Sequence, residues 1–209
     1  MAKVLAKYDI DIATLTESRL SGEGSIEEIG QGYTFFWRGV PDGQTRIHGV
    51  CIAIKNSIVK SLIELPTSTS ERIMSVRVPL EKSNHMTIIC AYAPTLVSTD
   101  EAKDDFYGAL SAILQSVDHR DKLMLMGDFN ARVGNDHEIW PEILGRHGTG
   151  KMNSNGLRLL SLCQEFNLKL TNTMFLFRTD PVFTDLAPCR WTLRTLMCWT
   201  SCLTNMEES

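Results

Sequence analysis

Residues 121–134 read DKLMLMGDFNARVG. Leu123, Met124, Leu125 and Met126 form a short apolar run, which fits a buried strand. The run breaks at Gly127 into Asp128, Phe129 and Asn130. Asp and Asn after a glycine are turn formers in most proteins, because their side chains bond backbone groups two residues on. The same two side chains, one residue apart in an extended segment, lie on one side of it. There they can grip a water molecule or an oxyanion from two directions. The stretch alone leaves both readings open, and the rest of the chain must decide.

The bulk composition sets bounds. The chain has 209 residues, enough for one domain with a sizeable core or one domain and a tail. With 43% hydrophobic and 22% charged residues it is an ordinary globular composition. A net charge of −4 gives no overall basic field of the kind that advertises nucleic-acid binding. Cys51, Cys90, Cys163, Cys189, Cys198 and Cys202 include no CxxC pair, so free thiols in a reducing compartment are expected. No apolar run approaches the length of a membrane span. Asp9 and Asp11 interrupt the segment where a secretion signal would be apolar. An intracellular protein, nuclear or cytoplasmic, is expected.

Hydrophobic periodicity orders the elements. Val4, Leu5 and Tyr8 share a face of a short helix, and Ile10, Ile12 and Leu15 alternate as a strand ending at Thr16, Glu17 and Ser18. Residues 21–32, rich in Gly, Ser and Glu, read as a loop. YTFFWRG (33–39) and HGVCIAIKN (48–56) read as a hairpin around Pro41, Asp42 and Gly43. VKSLIEL (59–65), RIMSVRVPL (72–80) and HMTIICAYAP (85–94) read as three further strands. A helix over about 100–118 carries an apolar stripe of Phe106, Leu110, Ile113, Leu114 and Val117. After the 122–130 strand come a Gly-rich polar loop, a helix over 156–167 and a short strand, LKLTNTMF (168–175). Strands gather early and helices come later, each returning to a strand. That order predicts an α/β or α+β sandwich, with sheets packed together and helices outside. Residues 177–209 show neither helical nor strand periodicity and are expected to form a tail behind a domain over 1–176.

Glu17, Tyr92, Asp128 and Asn130 all stand at the ends of predicted strands, where a rigid element fixes a side chain and the loop admits a ligand. Phosphodiester hydrolysis needs a hard cation on a phosphate oxygen, which a carboxylate such as Glu17 holds with water completing the shell. It also needs a group that orients the attacking water and donors for the charge that builds on phosphorus. Tyr92, followed by Ala93 and Pro94, offers a hydroxyl donor, although a tyrosine there is more often a half-buried core residue.

TESRL (16–20), SERIMSVRV (70–78), AYAPT (91–95), MGDFNARVG (126–134) and the block from Gly145 to Phe175 follow in an order that resembles the endonuclease/exonuclease/phosphatase (DNase I-like) superfamily. Within it they resemble the endonuclease module of LINE-type retrotransposons and its domesticated, craniofacial development protein 2-like relatives, over about residues 8–176. The resemblance implies a four-layered sandwich of two mixed β-sheets and a Mg²⁺-dependent (or Mn²⁺-dependent) nick in double-stranded DNA. By the same resemblance Glu17 is the metal-binding carboxylate and Tyr92 contacts the scissile phosphate. Asp128 aligns or deprotonates the water, Asn130 supports the phosphate and Asp128, and Asn155 lies near the scissile group. All five are then expected in one cleft. Arg38, Arg132, Arg146, Lys151 and Arg158 are candidates for DNA-phosphate contact.

The chain departs from the family pattern twice. An Asn ligand on a strand before Glu17 is absent, the first Asn being Asn56. The histidine of the family's last strands is absent too, since His48, His85, His119, His137 and His147 all precede residue 150. Losing a proton-transfer group lowers a rate roughly 10²–10⁴-fold, so slow catalysis and weak metal binding are expected, with a non-catalytic, nucleic-acid-binding remnant as the alternative. Without the first and last strands, unpaired sheet edges would favour self-association.

Overall fold

The computed structural model describes residues 1–45, 47–80 and 84–174, and the backbone of 194–198. They divide into two compact units, residues 1–92 with 116–127, and residues 93–115 with the described residues from 128 onward.

The first unit contains two sheets. One runs in the order β1 (Ile12–Thr16), β4 (Val50–Lys55), β3 (Tyr33–Arg38), β2 (Glu23–Glu28), antiparallel throughout. In the other, β5 (Thr67–Ser70), β6 (Ile73–Pro79), β7 (His85–Tyr92) and β8 (Lys122–Asp128) lie side by side. β1 and β4 pack on β6 and β7, which makes the expected sandwich. Val50, Cys51, Ile52, Ala53 and Ile54 are all buried, as befits a strand covered on both faces. Ala53 belongs to the cluster under helix α1 (Ala2–Lys7), with Ala2, Leu5 and Tyr33.

Arg77 of β6 donates from Nε and Nη2 to Asp121 at 2.7 and 2.8 Å, and Thr87 of β7 adds a 2.9 Å bond to the same carboxylate. β6, β7 and the residue leading into β8 are thus tied at one buried aspartate. The thiols of Cys51 and Cys90 are free and buried, and burial pushes both up to about 12.

In the second unit, helix α3 (Asp100–Ser116) buries Phe106, Leu110 and Leu114, with Ile113 only half-buried. Helix α4 (Ser154–Phe166) starts at Asn153, whose side chain accepts from the Gly156 N–H at 2.7 Å. It ends at Asn167 in the left-handed conformation, φ 54°. Arg158 of α4 pairs with Asp104 and Asp100 of α3.

Several expectations are corrected. α1 buries Ala2 and Leu5, while Val4 and Tyr8 are exposed; a six-residue helix docks through one i, i+3 pair, and Tyr33 Oη fastens its exit by donating to Ile10 O at 2.6 Å. Residues 23–28, expected as loop, form the edge strand β2. An edge strand needs one partner and little burial, and Gly24 lets the Trp37 indole lie where a Cβ would stand. VKSLIEL is not a strand: helix α2 (Asn56–Val59) leads into turns, Ile63 and Leu65 are exposed, and pairing begins later, at Thr67. Asn56 fixes this turn, accepting from Thr34 Oγ1 and donating to Glu27 at 2.8 Å each. Within 168–174 the expected strand is one bridge, Leu170 to Leu144, followed by a 3-10 turn over Thr171–Thr173. Thr173 closes that turn by donating to Leu170 O and accepting from Gly145 N. Phe175 and the expected tail, 177–209, lie outside the described residues, apart from strand β9 (Arg194–Cys198).

Candidate functional site

In the first unit, Glu17 follows β1 with φ 56°. The left-handed region disfavours a side chain of this kind by about 1–2 kcal/mol, and such residues collect at functional sites. Tyr92 ends β7, only 5% exposed, and its Oη donates to Glu17 Oε1 at 2.9 Å. Arg19 Nη2 stands 3.6 Å from Glu17 Oε2, an exposed pair of little energetic weight.

Two residues that were not read from the sequence complete this group. Arg72 Nη1 donates to Tyr92 O at 3.1 Å, and its guanidinium lies 5.3 Å from the centroid of the Tyr92 ring. Arg72 Nη2 is 2.8 Å from His48 Nε2. Burial, and then the charge of Arg72, hold His48 below its ordinary value; a guanidinium only donates, so the imidazole nitrogen facing it is the acceptor. Burial likewise lowers Arg72. Arg72 was legible in principle, because the β6–β7 register pairs Ile73 with Ala91 and sets Arg72 opposite Tyr92. His48, in the loop before β4, carried no sequence signal.

In the second unit, Asp128 Oδ1 accepts the Asn130 N–H at 2.8 Å, and Asn130 has φ 46°. The turn-forming reading of this pair is therefore correct as local structure. Asn130 Nδ2 donates to Ala93 O at 2.9 Å, and Ala93 N–H donates to Asp128 O at 2.9 Å. Asn155, 1% exposed on the first turn of α4, donates from Nδ2 to Pro94 O at 3.0 Å and to Asn130 O at 3.1 Å. Its Nδ2 donors are both spent on backbone, which orders the segment after Tyr92 and the turn at Asn130, while its buried Oδ1 makes no hydrogen bond among the described residues. A hollow of about 370 Å³ is lined by Leu96, Val97, Asp128, Asn130, Arg132 and Asn153.

The structure thus joins Glu17 to Tyr92 within one unit, and Asp128, Asn130 and Asn155 within the other. Of the basic candidates, Arg38 is paired with Glu23 at 2.9 Å and Arg158 with the α3 aspartates, whereas Arg132, Arg146 and Lys151 are exposed.

Glu17 suits a hard cation: its side chain is 44% exposed and its carboxylate is already oriented by the Tyr92 hydroxyl. No group of three or more His, Cys, Asp or Glu that could hold a metal occurs among the described residues. The donor set therefore fits an ion held by one carboxylate and otherwise by water, as Mg²⁺ commonly is. Among the described residues no helix is long and apolar enough to cross a membrane.

The sequence model of the Endonuclease/Exonuclease/phosphatase family matches residues 1–200, and the chain belongs to that family. It is 29% identical over 184 residues to "Craniofacial development protein 2" of Bos taurus, and 28% identical over 182 residues to the Tragulus javanicus protein of that name. Those matches cover 88% and 87% of this chain, which spans about 30% of the length of these curated relatives. Among solved structures, D. rerio TDP2 complexed with single-strand DNA product aligns with TM-score 0.41 and 16% identity, over 66% of this chain and 54% of that one.

Proposed function

We propose that this chain is a Mg²⁺-dependent phosphodiesterase domain that nicks DNA, belongs to the LINE-type retrotransposon branch of its family and works slowly. The observation that carries the reading is the 2.9 Å bond from Tyr92 Oη to Glu17 Oε1. It sets a carboxylate and a phenol side by side at strand ends, the pair a phosphate and a hard cation require. The similarity to the two craniofacial development proteins supports the branch.

In this reading Glu17 holds the cation, with Mn²⁺ able to replace Mg²⁺. The bound ion would polarise the phosphoryl oxygen and offset the charge that develops on it. Tyr92 donates its hydroxyl proton as a hydrogen bond to the phosphate. Asp128 aligns or deprotonates the attacking water, held by its bond to the Asn130 N–H. Asn130 and Asn155 keep the turn and the Ala93–Pro94 segment in register with Asp128. Arg132, Arg146 and Lys151 meet flanking phosphates. The slowness rests on the metal set: Glu17 is the one carboxylate proposed to hold the ion, which is otherwise held by water.

The test is conversion of supercoiled plasmid to relaxed circles with and without Mg²⁺, by the wild type and Glu17→Gln. Slow, Mg²⁺-dependent nicking that Glu17→Gln loses supports the reading. Binding of the same DNA with no nicking under Mg²⁺ or Mn²⁺ would replace it with a non-catalytic, DNA-binding one.

A further inference from the structure

We propose that Arg72 is a positioning residue that locks Tyr92 in the orientation handing its hydroxyl to Glu17, and that His48 holds Arg72 in place. The inference rests on the proposed role of the Tyr92–Glu17 pair.

Arg72 grips Tyr92 at three points. The Tyr92 N–H donates to Arg72 O at 2.8 Å, Arg72 Nη1 donates to Tyr92 O at 3.1 Å, and the guanidinium stands over the ring at 5.3 Å from its centroid. The first contact is ordinary sheet-edge pairing. The other two need the side chain, and the cation over the ring opposes rotation of the phenol away from it. Arg72 is half-buried, yet no carboxylate lies within ion-pair distance of it among the described residues. Half-burying a cation that no carboxylate pairs with at close range costs desolvation, which the charge of Glu71 offsets only in part. Its placement is explained by what it does to Tyr92.

The remaining face of the guanidinium is taken by His48, 2.8 Å away at Nε2 and 3.2 Å at Nδ1. The two rings, of His48 and Tyr92, stand 6.0 Å apart and tilted by 54°, with the guanidinium against both. Lysine cannot substitute: a single ammonium lacks the planar fork that reaches a carbonyl, a ring face and an imidazole together.

The experiment uses the full chain carrying 3-fluorotyrosine, followed by fluorine NMR. There are four tyrosines, and the Tyr92 resonance is assigned by its loss in Tyr92→Phe. Arg72→Lys and Arg72→Leu should each move the Tyr92 resonance while leaving those of Tyr8, Tyr33 and Tyr107 in place. His48→Gln, which keeps an acceptor for Arg72, should leave the Tyr92 resonance unmoved; His48→Leu should move it. In plasmid nicking, Arg72→Lys should lower the turnover rate about tenfold or more with the apparent KM unchanged, since misplacement of a contact reduces rate rather than affinity. If Arg72 variants lose cooperative unfolding, His48→Leu in the folded protein decides. An unmoved Tyr92 resonance in Arg72→Lys, or in His48→Leu, would overturn the proposal. A resonance that moves in a protein without any nicking, wild type included, would support the lock and defeat the phosphodiesterase reading instead.

Discussion

Tyr92 Oη donates a 2.9 Å hydrogen bond to Glu17 Oε1 across 75 positions of the chain. The bond joins the end of β7 to the residue after β1, so it exists only when the two sheets are stacked. It orients one carboxylate oxygen and leaves the side chain 44% exposed. Fold and proposed chemistry meet in this pair.

Removing the hydroxyl tests the pair directly. Tyr92→Phe should lower stability by about 1 kcal/mol, the usual net value of one hydrogen bond. Nicking should fall roughly 10²-fold, as expected when one donor to a developing oxyanion is lost. Chemical denaturation and plasmid relaxation measure the two effects. Equal nicking by both proteins would remove Tyr92 from the site.

Gly127 stands immediately before Asp128 because nothing larger fits. Its φ is +143°, and a Cβ there would enter the backbone of Ala91. Gly127→Ala should therefore lower unfolding free energy by at least about 2 kcal/mol, through strain and through displacement of β7. Urea titration checks this, and an unchanged midpoint would contradict the close approach.

Asp121 gives the fold a dependence on acid. The Arg77 guanidinium, reinforced by Thr87, holds its carboxyl below the ordinary 3.8 in spite of burial. A folded-state value below the unfolded one means stability that is present above the unfolded value and lost as pH falls through the folded one. Asp121→Asn should be less stable by about 2 kcal/mol at neutral pH, the scale of hydrogen bonds to a charged group. The gap should close as pH drops below 3.8. Parallel curves for the two proteins down to the most acidic folded condition would contradict the assignment.

Arg132, Arg146 and Lys151 are exposed, and among the described residues no ion pair engages them. If they meet DNA phosphates, replacing all three by Ala should reduce the slope of log affinity against log salt by roughly 2–3, at about 0.9 per phosphate. Anisotropy of a labelled duplex across a salt series measures it. An unchanged slope would place the DNA elsewhere.

The most legible parts of the sequence were those where one physical demand dominated. β6, β7 and β8 are apolar because they are buried, and α3 carries its stripe because only one face is covered. β2 was hidden because an edge strand with exposed Glu23, Ser25 and Glu27 has the composition of a loop. VKSLIEL misled in the opposite direction, since Ile63 and Leu65 alternate correctly and yet face solvent. At the candidate site, Asp128 and Asn130 were legible as a pair but not their division of labour, in which Asp128 accepts the Asn130 N–H. Asn155 was legible only by resemblance, and the structure gives it two backbone carbonyls to hold. Arg72 and His48 act through Tyr92, and a residue that works through another leaves no motif of its own.

The central claim is that Asp128 belongs to a working, if slow, phosphodiester site, and one measurement addresses it most directly. Purified wild type and Asp128→Ala, at matched concentration with Mg²⁺, are assayed side by side on supercoiled plasmid. The account predicts slow nicking by the wild type that requires the metal and is abolished by Asp128→Ala. Equal nicking by the two proteins, or none by the wild type under Mg²⁺ or Mn²⁺, would contradict it.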